Sequence, residues 1–493
     1  MPNEINTKNR VWILVALMST MTLAAMDITI ISTAIPQIVS DIGGFQKFTW
    51  VFSIYLLAQT ITIPIYGKFS DLFGRKKILF FGIIVFLLGS ISSGFAWNIE
   101  SLIAFRALQG IGAGSIMATV NTIAGDIYTV EERARIQGYL SSIWGVSAIL
   151  GPSLGGAIAE FINWRWIFFI NLPIGALSLF LLTYFFKEKV EVKKTKIDFK
   201  GALLIMITLS LVLVFLLEIG QQWAIISWQS ILLLIAIIIL TVITYKVEEK
   251  RDYAIMPIWL WKNPTIRNTS LAMIGMGLVM MGPETFLPTF TQSSLGLGII
   301  ASGFILASMS IGWPTASALS GRIYLNIGFR KTSMIGASLL IVGFLFFLLL
   351  PHPQSIALLV VNQIIIGAGF GLLSTPSLVG AQAMVGWEEK GVVTSSVIFA
   401  RNLGQSIGAS LVGAIFNLSL INQLKKDKID LGGYKDNILS FLQNPQLAPS
   451  TKLSLQKAIN ISMKNMYIIL AIISLAILIV LFKMPNYIHK KKQ

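Results

Sequence analysis

Runs of about 20 apolar residues recur along the whole of this 493-residue chain, and they restrict its fold more than any other feature. As a helix, each run is ~30 Å long and matches the hydrocarbon core of a bilayer. Composition agrees: 55% of residues are hydrophobic and 12% charged, where a soluble domain carries about 25% charged residues. Backbone groups in lipid must be satisfied within each segment, so an all-α integral membrane protein is expected. About fourteen spans are expected, near 11–35, 49–69, 78–97, 101–123, 136–159, 165–186, 200–220, 228–246, 267–291, 299–321, 332–350, 355–377, 392–421 and 466–484.

The net charge of +16 does not point to nucleic acid, because lysines and arginines cluster between the apolar runs. Arg75-Lys76-Lys77 and the stretch 187–200 read as cytoplasmic under the positive-inside rule. An even span count puts both ends on one side, and Lys8, Arg10 and Lys490 to Lys492 make that side cytoplasmic. The first apolar run holds Asp27 and lacks a small-residue cleavage site, so it reads as a retained helix. With no cysteine and two separated histidines, His352 and His489, no metal or cofactor is expected. No phosphate-binding loop of the Gly-x-x-x-x-Gly-Lys type is present, so energy for any transport must come from a gradient.

A faint repeat divides the chain. Gly67-Lys68-Phe69-Ser70-Asp71-Leu72-Phe73-Gly74-Arg75-Lys76-Lys77 is echoed by Gly321-Arg322-Ile323-Tyr324-Leu325-Asn326-Ile327-Gly328-Phe329-Arg330-Lys331, with Leu325 where Asp71 stands. Repeated halves are how alternating-access carriers are built. The expected organisation is a six-helix bundle over 1–190, two inserted helices over 191–250 and a second six-helix bundle over 251–493. The second bundle includes an outer segment, 422–465, whose stretches 436–443 and 451–464 are expected on the membrane surface.

In the first copy, glycines allow a tight turn, Asp71 suits a neighbouring helix N-terminus and the basic residues suit an anionic leaflet. The segment resembles the loop signature between helices two and three of the major facilitator superfamily. Three more stretches resemble the fourteen-helix drug:proton antiporter branch: Met26 to Pro36 around Asp27, Arg106-Ala107-Leu108-Gln109-Gly110-Ile111-Gly112-Ala113-Gly114, and Gly145 through Gly151-Pro152-Ser153-Leu154-Gly155-Gly156. Trp164 to Gly175 and the group Arg401, Gly404 and Gly408 are similar to it too. The resemblance implies two pseudo-symmetric six-helix bundles plus two inserted helices. It also implies gating roles for Gly67, Asp71, Gly74, Arg75 and Lys76, and for the fifth-helix motif Gly151, Pro152, Gly155 and Gly156. Asp126, Arg133 and Arg401 join this set. Independently, Gly151 and Gly155 share a helix face that lets another helix approach closely.

Charges inside the bilayer cost at least about 2.5 kcal/mol each and demand a reason. Asp27 and Arg106 are expected to load and unload a proton as they separate; a fixed ion pair is the structural alternative. Glu284 follows Met280, Met281, Gly282 and Pro283 and precedes Phe286, Pro288 and Phe290. With Gln109, these residues are expected to line a substrate cavity, with the helix broken at the prolines; Glu284 snorkelling at the outer interface is the alternative. Glu218 reads as interfacial. The expected function is proton-coupled export of hydrophobic, cationic drugs. The expected partners are protons, amphiphilic substrates and membrane lipid, for a monomer in a bacterial plasma membrane. The rivals are an exporter or flippase of an endogenous lipid, glycolipid or metabolite, and a membrane sensor or enzyme without transport.

Overall fold

A computed structural model describes residues 7–43, 47–188, 198–218, 227–251, 253–351, 355–426 and 449–485. The helices of the first half are α1 (Thr7–Ile42), α2 (Phe48–Phe73), α3 (Arg75–Gly94), α4 (Ile99–Ile127), α5 (Val130–Phe161), α6 (Trp166–Phe169) and α7 (Asn171–Phe185). Two inserted helices follow, α8 (Phe199–Glu218) and α9 (Trp228–Glu249). The second half holds α10 (Trp259–Lys262), α11 (Pro264–Leu295), α12 (Ile299–Ala307), α13 (Met309–Ile327), α14 (Phe329–Leu349), α15 (Ile356–Ala383), α16 (Lys390–Lys426) and α17 (Pro449–Phe482). Among the described residues, 13 helical stretches are long and apolar enough to cross a membrane, α6 and α7 together making one. The expected tenth span is instead two helices, α12 and α13, which meet at Ser308.

Two related bundles result. In the first, α1 packs on α5 and α7, and α4 packs on α2 and α3; in the second, α11 packs on α16 and α17, and α15 on α13 and α14. The repeat seen in the sequence has a shared backbone form. Gly74 turns α2 into α3 at φ 96°, and Gly328 turns α13 into α14 at φ 90°, where only a residue without a Cβ is unstrained. The halves meet along two seams, α2 against α16 and α5 against α13. The inserted α8 lies over the first seam, Leu213 meeting Leu57, Ile61 and Leu403, while α9 packs on α8 and turns most of its surface to lipid.

Two expectations about helix ends are corrected. Pro283 and Pro288 do not break α11, which runs on through both. Its walls hold it: Gly282 rests on Leu470 of α17, and the Thr291 hydroxyl donates to the carbonyls of Leu287 and Pro288, each at 3.0 Å. Residues 451–464 are not a surface helix but the first turns of α17. Leu455, Ala458, Ile459 and Met463 recur at helical spacing there and are buried, and Gln456 donates to the Ser293 carbonyl at 3.1 Å. Likewise α16 continues to Lys426, with Leu424 buried. The stretch 436–443, His352, His489, the side chains of Lys8, Pro36 and Glu218, and Lys490 to Lys492 lie outside what is described.

Candidate functional site

The first site is a polar network sealed inside the first bundle. Asp27 of α1 is ion-paired with Arg106 of α4, and neither side chain is exposed. The other Asp27 oxygen accepts from the Gln109 amide at 2.7 Å and from Asn171 of α7 at 3.4 Å. Ser90 of α3 accepts from Asn171 at 2.9 Å and from Gln109 at 3.3 Å, and the Gln109 carbonyl accepts from Arg106 at 2.7 Å. The Arg106 guanidinium also lies 4.1 Å over the Tyr55 ring of α2. Five helices thus converge on one carboxylate. Such a group is tolerated at this depth because its charge is neutralised and its lone pairs are filled. The sequence reading named Asp27, Arg106 and Gln109 but missed Ser90, Tyr55 and Asn171. For Ser90 and Tyr55 the signal was a polar atom in an apolar run; Asn171 lay within the Trp164–Gly175 stretch, but nothing there pointed it at Asp27. Gln109 belongs to this network, fully buried, and does not line a cavity as expected.

A second acid stands in the other half. Asp27 and Glu284 each lie ~30 Å along α1 and α11 from those helices' starts. Glu284 is partly exposed, and the charge acting on it is Arg401 of α16. Met280 touches the Gln405 amide at 3.6 Å through sulfur, and Phe286 stacks on Phe416 with ring centres 4.4 Å apart. Met280, Met281 and Phe286, like Glu284, are partly exposed. Phe290 is not: it is fully buried against Phe347 and belongs to the packed core of the second half. Gly277 and Gly404 bring α11 and α16 into backbone contact below Glu284, at Arg401 and Ile274.

A third cluster closes the end of the molecule that carries Arg75, Lys76 and Lys77. Asp71 accepts from the backbone N–H groups of Gly391 and Val392, each at 2.9 Å, at the N-terminus of α16. Here the helix dipole favours a carboxylate. Arg75 pairs with Asp71 at 2.8 Å and Asp126 at 2.9 Å, donates to the Trp387 carbonyl and lies 3.7 Å over the Trp387 ring. Lys390 reaches Asp126 at 3.1 Å from the opposite half. Gly67 and Gly391 let α2 and α16 touch at this level; a Cβ on Gly67 would strike Ser395. On the second seam Tyr324 donates to the Val130 carbonyl, and Gly138 and Gly145 lie against Ala318 and Ser310. Arg133 is held by the carbonyls of Gly125 and Tyr128, with the charges of Asp126 and Glu131 also acting on it, while Glu132 pairs with Arg10 at 3.1 Å. Lys76 reaches the carbonyls of Thr183 and Phe186, and Glu188 caps the start of α3 through the N–H groups of Arg75 and Lys76 at 3.0 and 2.8 Å. Lys390, Trp387 and Glu188 carried no motif and were missed in the sequence.

The fifth-helix motif divides. Gly151 and Gly155 meet Thr29, Ile30 and Thr33 of α1, and the Thr29 hydroxyl donates to the Ser147 carbonyl at 2.9 Å. Gly156 meets nothing and lies outside the face that Gly151 and Gly155 share; it points away from α1 by one residue's helical rotation. Pro152 lies within α5 between the two contacts.

A multi-pass membrane bundle of two related halves, latched at one end and holding a neutralised charge deep in one half, is a transporter's architecture. The chain belongs to the Major Facilitator Superfamily, whose family model matches residues 17–409. It is 35% identical over 407 residues to multidrug resistance protein 3 of Bacillus subtilis, covering 82% of this chain and 78% of that one. It is 34% identical over 418 residues to the multidrug transporter protein MdtP of the same organism, with 85% and 77% covered. Its fold is similar to that of the human organic anion transporter MFSD10, with TM-score 0.63 and 15% identity over 97% of this chain and 100% of that one. A bacterial homologue of the lysosomal transporter Spinster, in an inward-facing conformation, aligns with TM-score 0.55, 16% identity and 97% and 98% covered. These are transporters, not enzymes.

Proposed function

We propose that this protein exports hydrophobic, cationic drugs from a bacterial cell in exchange for protons, by alternating access. The end carrying Arg75 faces the cytoplasm, with both termini, and the protein works as a monomer. The drug reading is supported by the two Bacillus subtilis relatives named as multidrug proteins. Proton coupling rests on one observation, the Asp27 carboxylate that is sealed from solvent and paired with Arg106.

The coupling follows from that pair. Asp27 ionised and paired stabilises α1 against α4; Asp27 protonated gives up the ionic part of that bond and leaves Arg106 to its other partners. Because α1 also carries the Gly151 and Gly155 contacts with α5, and α5 forms the second seam with α13, a change at Asp27 bears on how the halves meet. Glu284, with Arg401 near it and Met280, Met281 and Phe286 around it, is the cation-attracting acid of the cavity. One proton moving inward yields about 2.3 kcal/mol per 100 mV and a singly charged cation moving outward costs the same, so a one-for-one exchange is electroneutral and is driven by the pH gradient alone.

The test is efflux of a fluorescent lipophilic cation from proteoliposomes under an imposed pH gradient. Asp27→Asn is expected to abolish gradient-driven transport, and Glu284→Gln to lose cations selectively. No cation movement by the folded parent would transfer the reading to a lipid or metabolite cargo. One feature favours that second reading: a cavity of about 100 Å³ between the segment after α9 and the α11–α16 pair. Its walls include Met256, Leu260, Trp261, Ile274, Phe399 and Leu403, which suit part of an acyl chain.

A further inference from the structure

The open end of the α8–α9 hairpin is clasped by two acids. Asp198 precedes α8, and its Oδ1 accepts from the Gly201 N–H at 2.7 Å and from Arg251. Glu248 lies in the last turn of α9, and its Oε2 accepts from the Met256 N–H at 2.8 Å. Asp198 is 1% exposed and Glu248 5%. The remaining oxygens, Asp198 Oδ2 and Glu248 Oε1, are buried without a hydrogen-bond donor. They converge on Gly201, where an added methyl group would strike both, and the two carboxyls are within hydrogen-bond reach of each other.

Two ionised carboxylates facing each other out of water repel strongly, whereas one proton between them makes a short O–H···O⁻ bond. The cations nearby do not remove this need. Arg251 is committed to the far side of Asp198, and Lys68 of α2 acts on Glu248 while also acting on Asp71 and Glu389. The Met256 and Gly201 N–H groups fill the outward oxygens, and the Ile255 N–H also acts on Glu248, while Asp198 Oδ2 and Glu248 Oε1 keep no donor. We infer that Asp198 and Glu248 bind a single proton between them, and that this proton fastens the start of α8 to the end of α9, closing the open end of the inserted hairpin. It is a protonation site separate from Asp27.

The sign follows from where the proton sits. The folded protein holds it more tightly than the unfolded chain does, so its contribution is full at low pH and is lost as pH rises. Thermal unfolding of the full chain in lipid nanodiscs, followed from about pH 5 to about pH 9, reads this directly. The parent is expected to lose melting temperature toward high pH by more than Glu248→Gln does. The glutamine amide donates to Asp198 at every pH, so that step should flatten. Infrared difference spectra should show a protonated-carboxyl stretch in the parent that Glu248→Gln lacks. If Glu248→Gln does not fold, Asp198→Asn carries the same test with the donor on the other side. Parallel pH profiles for parent and amide variant, or an unchanged carboxyl band, overturn the inference. Neither readout depends on transport, so the proposed export stands or falls separately.

Discussion

Replacing Asp71 by alanine should open the end that carries Arg75, and the structure sets the size of the effect. The change removes two charge-assisted hydrogen bonds across the α2–α16 seam, to the N–H groups of Gly391 and Val392. Each is worth about 1.5 kcal/mol at the lower end of the range for charged acceptors. Arg75 is not orphaned, because Asp126 and the Ser70 carbonyl, at 2.9 and 3.0 Å, still hold it. The closed state therefore loses roughly 3 kcal/mol, a shift of about 100-fold toward the open state at about 1.4 kcal/mol per tenfold. Asp71→Asn keeps one acceptor oxygen and should shift it about tenfold. The chain has no cysteine, so Ser395→Cys supplies a single thiol at a position 1% exposed and packed on Gly67 across the seam. Its labelling rate by a membrane-impermeant maleimide from the side that carries Arg75 follows the open population. The expected rates rise in the order parent, Asp71→Asn, Asp71→Ala, over about two decades. A rate for Asp71→Ala within about twofold of the parent's would refute the reasoning, because the latch would then carry almost none of the closed state's stability.

Arg106→Ala should lower stability by about 3 to 5 kcal/mol at neutral pH, since it strands a buried carboxylate. Thermal unfolding of the variant beside the parent reads the loss, and equal melting temperatures would contradict it. Gly155→Ala should cost about 1 to 3 kcal/mol, because its Cβ would strike Ile30 and Thr33 of α1, whereas Gly156→Ala should be silent. Equal melting temperatures for these two variants would contradict the packing. At the opposite end, the Arg165 guanidinium and the Trp164 indole N–H hold the Asp41 carboxyl below its usual range. Their contribution is present above the ordinary carboxylate range and disappears as pH falls through the lowered value. The pair is largely exposed, so Asp41→Asn should cost under about 1 kcal/mol, and that difference should shrink below about pH 4.

Span number, the all-α class and the repeat were legible because length and apolarity alone select helices in lipid. The Gly74 turn was legible because a glycine between an acid and a basic run restricts the backbone. What escaped was side-chain direction. Phe290 and Gln109 carry residue types that suit a cavity, yet helical phase turns one into the second core and the other onto Asp27. Gly156 differs from Gly155 by that phase alone. Pro283 and Pro288 suggested a broken helix, but α11 runs on through both with Gly282 packed on Leu470 of α17, a partner nearly 190 residues away in the chain. Lys390 and Trp387 close the latch from more than 250 residues away, a distance over which one sequence without its fold gives no pairing.

The repeat shows why the chemistry is one-sided. Gly112 rests on Phe86 and the Gly82 carbonyl as Gly369 rests on Leu340 opposite Gly336, and Gly89 meets Gln109 as Gly343 meets Ile366. On that correspondence Ser90 answers to Phe344, Arg106 to Gln363 and Gln109 to Ile366. At these three positions the polar groups of the first half are replaced by apolar or uncharged ones, while the acid level with Asp27 persists as Glu284. Phe344 and Phe347 pack on Tyr467 with ring centres 5.5 and 4.2 Å apart, and Gln363 bonds to Asn362 at 3.0 Å. The loss of Asp71's counterpart at Leu325 follows the same division: the first half supplies the carboxylate, and the second supplies the helix N-terminus that receives it. A fold built twice need not perform its chemistry twice. The buried Asp27–Arg106 pair thus stands in a half whose opposite number carries an aromatic cluster at the matching level, so the two halves present unlike interiors to the seams between them.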